Sequence, residues 1–184
     1  VTLKYINSNL AGGYTNGSTT YKSASAVAAD LAYYHDGKKA GSGWAWGAVL
    51  SNLGTKVSYT DNADAKDFIP ANLGLGLNYT KKMNETNSLS FGVEANKLLV
   101  PTPPGQNATA QDIADYRSKS VIGGWFSSFG DAPGGFAEEM KEFQISAGAE
   151  YWYNNQFALR AGYFYENKTK GDRRIWLIVI LLSV

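Results

Sequence analysis

From residue 143 to 153 the apolar side chains fall on odd positions: Phe143, Ile145, Ala147, Ala149, Tyr151 and Tyr153. The even positions are Gln144, Ser146, Gly148, Glu150 and Trp152. Successive strand side chains point to opposite faces, so this run is a strand with one apolar and one mostly polar face. After Asn154-Asn155 the pattern returns, with Phe157, Leu159, Ala161, Tyr163 and Tyr165 opposite Gln156, Ala158, Arg160, Gly162, Phe164 and Glu166. Asn-Asn tolerates the positive φ of a tight turn, which predicts a hairpin. On its apolar face the rings gather near the strand ends, and small or aliphatic residues fill the middle. A bilayer favours that distribution, because Tyr and Trp sit at its interfaces and the band between them is aliphatic. Half of a soluble β-sandwich is the competing reading.

The same dyad recurs upstream. "LGLGLNY" puts Leu73, Leu75, Leu77 and Tyr79 opposite Gly74, Gly76 and Asn78, and "SLSFGVEANKL" puts Leu89, Phe91, Val93 and Ala95 opposite Ser90, Gly92, Glu94 and Asn96. "VAADLAYYH" sets Val27, Ala29, Leu31 and Tyr33 against Ala28, Asp30, Ala32 and Tyr34, and "GWAWGAVLS" places Trp44 and Trp46 at a membrane boundary. Extended segments are expected at 1–6, 24–35, 43–53, 72–83, 88–99, 141–153, 156–168 and 175–184. Their connectors alternate between short (36–42, 84–86, 154–155) and long (7–23, 54–71, 100–140). Outer-membrane barrels keep this order, with short periplasmic turns and long extracellular loops. The expected fold is therefore all-β, an antiparallel transmembrane β-barrel of which these 184 residues form one partial domain. In that barrel Leu75, Phe91, Val93, Ile145, Tyr151, Phe157, Leu159 and Tyr163 face lipid, and Asp30, Glu94, Glu150 and Arg160 face the lumen.

Composition narrows the class without deciding it. Mean hydropathy is -0.27, but alternation hides the apolar residues of a barrel from such an average. A net charge of +1 gives no electrostatic case for nucleic acid. The absence of Cys excludes a disulfide framework and thiolate chemistry. The opening "VTLKYINSN" has neither an initiator Met nor a signal-peptide pattern, so a piece of a longer protein is expected.

The stretches "WGAVLSNLGTKVSY", "FIPANLGLGLNY" and "SLSFGVEANKLLVPTPP", with the run from Asp115 to Arg174, closely resemble the PorV (LptO) family. These are channel-like outer-membrane proteins of the type IX secretion system of Bacteroidetes. The resemblance implies a FadL-like barrel with more strands than are present, in the outer membrane of a Gram-negative bacterium. It also implies partners: the translocon barrel, cargo proteins bearing a C-terminal signal domain, and a sortase-like surface attachment protein to which cargo is delivered. One departure stands out. After Arg174 the chain reads "IWLIVILLSV", apolar on both faces, where the family continues with an alternating strand. The segment 175–184 is thus a divergent tail, too short for a spanning helix; as a strand, its lumen side would be aliphatic.

No catalytic constellation is visible. His35 is the sole histidine, with Asp30 and Asp36 nearby and no nucleophile at a motif spacing, so it reads as an interfacial strand-end residue. No cofactor, metal or enzymatic activity is indicated, and the lumen charges are expected to satisfy one another or water. Functional weight falls on the extracellular connector 100–140, where Pro101, Pro103 and Pro104 end the ladder. It carries Trp125, Phe126, Phe129 and Phe136, with Asp131 and Pro133 in the "FGDAPGGF" stretch between the rings. Rings on a long loop either pack on their own loop as a lid or meet a partner. A FadL-type channel for small hydrophobic solutes is the alternative function.

Overall fold

The computed structural model describes residues 1–10, 12–61 and 66–182, with side chains described as far as residue 180. Residues 62–65 of the second long connector and 183–184 of the tail lie outside the described residues. The strands are β1 (Thr2–Ser8), β2 (Thr15–Asn16), β3 (Thr19–Thr20), β4 (Ala24–Asp36), β5 (Gly43–Gly54), β6 (Asn72–Lys82), β7 (Asn87–Leu98), β8 (Gln144–Tyr153), β9 (Phe157–Tyr165) and β10 (Arg174–Leu182). Between β7 and β8 lie the helices α1 (Ala110–Ser118), α2 (Val121–Ser127) and α3 (Phe136–Glu139), the last running into a 3-10 turn at Met140–Glu142. Eight strands form one sheet in the order β1-β4-β5-β6-β7-β8-β9-β10, while β2 and β3 form a separate ribbon. The fold is all-β and mostly antiparallel, with β1 and β10 as the edges of that order among the described residues.

Two of the expected strands are shorter than their patterns suggest. The strand expected from residue 141 starts at Gln144, because residues 136–142 wind into α3 and the 3-10 turn. The strand expected to reach 168 ends at Tyr165, where the Asn167 carbonyl draws in the amides of Lys170, Gly171 and Asp172 at 2.9, 3.1 and 3.0 Å.

The chain divides into two compact units. One comprises Val1–Leu31, Leu50–Asn72 and Leu98–Glu139. In it Ala24, Ala26 and Ala28 line the even face of β4 and are buried. Ile69 packs on Ala26 and Ala28, joined by Ile6 and Val57. Three small side chains in succession leave room for a connector to fold back over that face, and the reciprocal backbone bonds of Val57 and Asp67 hold it there. Asp30 pairs with Lys4 at 2.6 Å.

The other unit comprises Ala32–Val49, Leu73–Lys97 and Met140–Val184. Asn154 and Asn155 take φ values of 52° and 53°, and the Gln156 amide closes the turn on the Tyr153 carbonyl at 3.0 Å. The predicted hairpin forms in a register that pairs odd residues with odd: Ile145 with Tyr165, Ala149 with Ala161, Tyr151 with Leu159. The same parity continues into β7, where Leu89, Phe91 and Val93 oppose Tyr151, Ala149 and Ala147. Leu75, Phe91, Val93, Ile145 and Leu159 are exposed on the apolar face, and Tyr151, Phe157 and Tyr163 are half-buried. Tyr163 packs against Trp176 at 4.3 Å.

On the opposite face Arg160 forms an ion pair with Glu150 and lies 5.4 Å over the Trp152 ring, while Glu94 accepts from Asn96 at 2.5 Å. The charges predicted for the lumen thus sit in local pairs, each with its own partner, rather than in one continuous ladder. The tail takes a full strand position as β10, with Trp176, Ile178 and Ile180 on the apolar face. Ile175, Leu177 and Val179 oppose Phe164, Gly162 and Arg160, so the polar face becomes aliphatic there, as the tail's composition dictates.

Candidate functional site

The connector between β7 and β8 is built as a scaffold, not as a slack loop. It leaves the sheet at Leu99, whose amide donates to the Ala71 carbonyl at 2.7 Å, and passes Pro101, which is fully buried. Thr109 opens α1 with a capping box: its hydroxyl accepts from the Asp112 amide at 3.2 Å, and the Asp112 carboxylate accepts from the Thr109 amide at 2.8 Å. Hydrogen bonds from the Thr109 hydroxyl and amide hold the Asp112 carboxyl below its usual range. At the other end Lys56 donates to the carbonyls of Arg117 and Lys119 at 2.7 and 2.6 Å. Those are carbonyls a helix end leaves without an intrahelical partner. The Lys56 ammonium lies 4.0 Å over the Phe68 ring, and burial pushes its pKa down. Phe68 also meets Tyr116 edge-on at 5.6 Å, where burial raises the phenol's pKa.

Ser120 caps α2 by accepting from the Gly123 amide at 3.0 Å. Gly124 lets the helix lie against the same ring: a Cβ there would stand 2.8 Å from Phe68 Cε1 and 3.1 Å from Pro101 Cγ. Asp131 then ties the segment together, accepting from the Thr102 hydroxyl at 2.9 Å, the Thr102 amide at 3.2 Å and the Ser127 hydroxyl at 3.4 Å. Lys119 approaches it at 3.7 Å. Buried Glu139 accepts from the Ala132 amide at 2.7 Å, and Pro133 stands exposed beside that contact.

Helix α2 therefore turns Gly124 inward and carries Ile122 and Phe126, one turn apart, outward. Phe126 is 75% exposed, Phe136 79% and Phe129 48%, whereas Trp125 is half-buried. The scaffold is held by Lys56, Asp131 and Glu139, residue types whose connector-spanning bonds leave no periodic trace in the sequence. Of the six residues predicted for partner binding, Asp131 has its carboxylate committed within the scaffold, and three rings are presented on its surface.

Residues 1–105 match the family model described as the type IX secretion system protein PorV. The chain belongs to the PorV family. No curated protein matches it. The PorV match spans β1 to β7 and ends at Gly105, at the base of the connector. The placement of the exposed rings accordingly rests on the connector's own geometry.

This PorV-family chain also carries a charged anchor where the connector re-enters β8. Lys97, 1% exposed, and Lys170 reach Glu142 at 2.6 and 2.8 Å. Burial raises the Glu142 pKa, but the hydrogen bonds from Lys170 and Lys97 outweigh it and hold the carboxyl below 4.5. Arg173 does the same for Glu166 through bonds of 2.7 and 3.1 Å, and Gln144 adds a third at 2.7 Å. Both folded pKa values lie below their unfolded values, so this stabilisation is complete above about pH 4.5 and is lost as pH falls through the folded values. Amide exchange at residues 170–172, corrected for its intrinsic pH dependence, is expected to stay slow from neutral pH down to about 5 and to accelerate below 4.5. Unchanged protection at pH 3 would contradict the anchor.

Proposed function

We propose that this chain is part of a FadL-like outer-membrane barrel that receives secreted cargo bearing a C-terminal signal domain. In this reading it takes cargo from the type IX translocon and passes it toward a sortase-like surface attachment protein. The membrane placement is supported by the exposed apolar face, the rings near the strand ends, and strands of 9–13 residues from β4 to β10. The observation that carries the functional reading is the exposure of Phe126, Phe129 and Phe136 on a connector that already has its own internal staples. A self-packed lid would spend its rings on itself, whereas Phe126 and Phe136 stand about three-quarters exposed. Buried aromatic anchors supply much of the energy of protein interfaces, and exposed rings on a fixed scaffold suit that use.

A second reading, a channel for small hydrophobic solutes, draws on a cavity of about 590 Å³ on the polar face of the sheet. Gly74, Gly76, Gly92 and Gly148 contribute to its lining, with Tyr34 and Val49 beside them. Gly74 cannot carry a side chain without displacing a neighbour, since its Cβ would stand 2.8 Å from Val49 Cγ1. Photocrosslinking separates the two readings. In the full-length protein in its native membrane, a photoreactive residue at Phe126 should capture the translocon barrel or a cargo signal domain, and one at Asn155 should capture neither. A solute channel would give no protein adduct at either position.

A further inference from the structure

The residues 37–42 turn and the end of β6 form a lysine cluster beside an aromatic one. Lys38, Lys39, Lys81 and Lys82 are all exposed, against two nearby carboxylates, Asp36 and Glu85. The two strand ends are joined: the Lys82 amide donates to the Ser42 hydroxyl at 2.9 Å, and the Lys82 stem lies where a Cβ on Gly41 would stand 3.1 Å from its Cδ. Lys38 pairs with Asp36 at 3.4 Å and Lys82 with Glu85 at 2.9 Å. Among the described residues Lys39 and Lys81 make no ion pair.

Immediately inside this cluster stand the ring pairs Trp44 with Tyr79 at 4.8 Å and Trp46 with Tyr33 at 5.1 Å, with His35 at 6.0 Å from Trp46. Lys81 follows Tyr79 on the same strand face by two residues, about 7 Å along the strand. If Trp and Tyr rings mark headgroup level, that step sets an ammonium on a flexible stem at the depth of the lipid phosphates.

We propose that Lys39 and Lys81, flanked by Lys38 and Lys82, form a collar that selects anionic phospholipid headgroups at the short-turn end of the sheet. The inference rests on the membrane reading above. Charge complementarity decides the occupant: the ring pairs supply a generic interfacial anchor, and two lysines with no counter-ion among the described residues supply the preference for a negatively charged lipid over a zwitterionic one.

The test uses full-length protein reconstituted in phosphatidylcholine vesicles with trace spin-labelled phosphatidylglycerol or phosphatidylcholine, comparing the motionally restricted fraction of each. At low salt the native protein should favour phosphatidylglycerol by about fivefold or more, the worth of roughly one lysine at an anionic surface. The variant Lys39→Gln/Lys81→Gln, checked for normal heat-modifiable migration, should lose most of that preference, as should the native protein at high salt. Equal restriction of both lipids by the native protein, or an undiminished preference in the folded variant, overturns the collar. No restricted component for either lipid overturns the membrane reading itself, and the collar with it.

Discussion

Leu159→Arg is expected to lower the unfolding free energy of the full-length protein in lipid by about 2–4 kcal/mol, the cost of a cation on the lipid face near the midplane. Leu159 is 40% exposed, two residues inside the start of β9, between Tyr151 on β8 and Ile180 on β10. Neither neighbour carries a carboxylate to pair with a guanidinium, and the Tyr151 hydroxyl is already engaged by Asn87. Arg160→Ala is the paired control. It removes the ion pair to Glu150 and the contact over Trp152, but on the opposite face. Both groups of that pair keep about a third of their side-chain surface exposed, so solvent screens the loss and the cost should be smaller. Urea midpoints of the two variants in the same vesicles decide the matter. Equal costs, or a larger one for Arg160→Ala, would reverse the facing of the whole β7–β10 sheet, because its parity is continuous through Val93, Ala147, Tyr163 and Trp176.

The strands were legible because each is written in the same period-2 code and punctuated locally. Asn154-Asn155 announced its positive-φ turn, and Pro101 announced the end of β7. The tail was legible too, down to its aliphatic polar face, since pairing with β9 leaves no other choice. What escaped was the pair of helices α1 and α2 in the connector. Helices α1 and α2 are short and weakly patterned, and their stability comes from contacts far away in sequence: Lys56 on the end of α1, Phe68 under Gly124, Thr102 on Asp131. Such pairs have no periodicity to read. The capping box Thr109 to Asp112 and the Ser120 cap are local signals that could have revealed both helix starts. Asp131 illustrates the resulting confusion. In the sequence it sits among rings and glycines and resembles a contact residue, whereas in the fold its carboxylate holds three connector groups in place.

The scaffold also sharpens which rings matter. Trp125 is half-buried in α2, so its loss should loosen the connector itself. Phe126 and Phe136 project from the surface and Phe129 is half exposed, and their replacement should leave standing a scaffold held by Lys56, Asp131 and Glu139. The triple variant Phe126→Ser/Phe129→Ser/Phe136→Ser is therefore expected to reach the outer membrane with normal heat-modifiable migration and to fail in function. Removing several anchor rings at about 2 kcal/mol or more apiece would weaken a partner contact by well over a hundredfold. Surface display of a reporter cargo, scored in the same strain, is the most direct measurement. A folded triple variant with cargo retained inside the cell is expected; normal display from that folded variant would remove the connector from the mechanism.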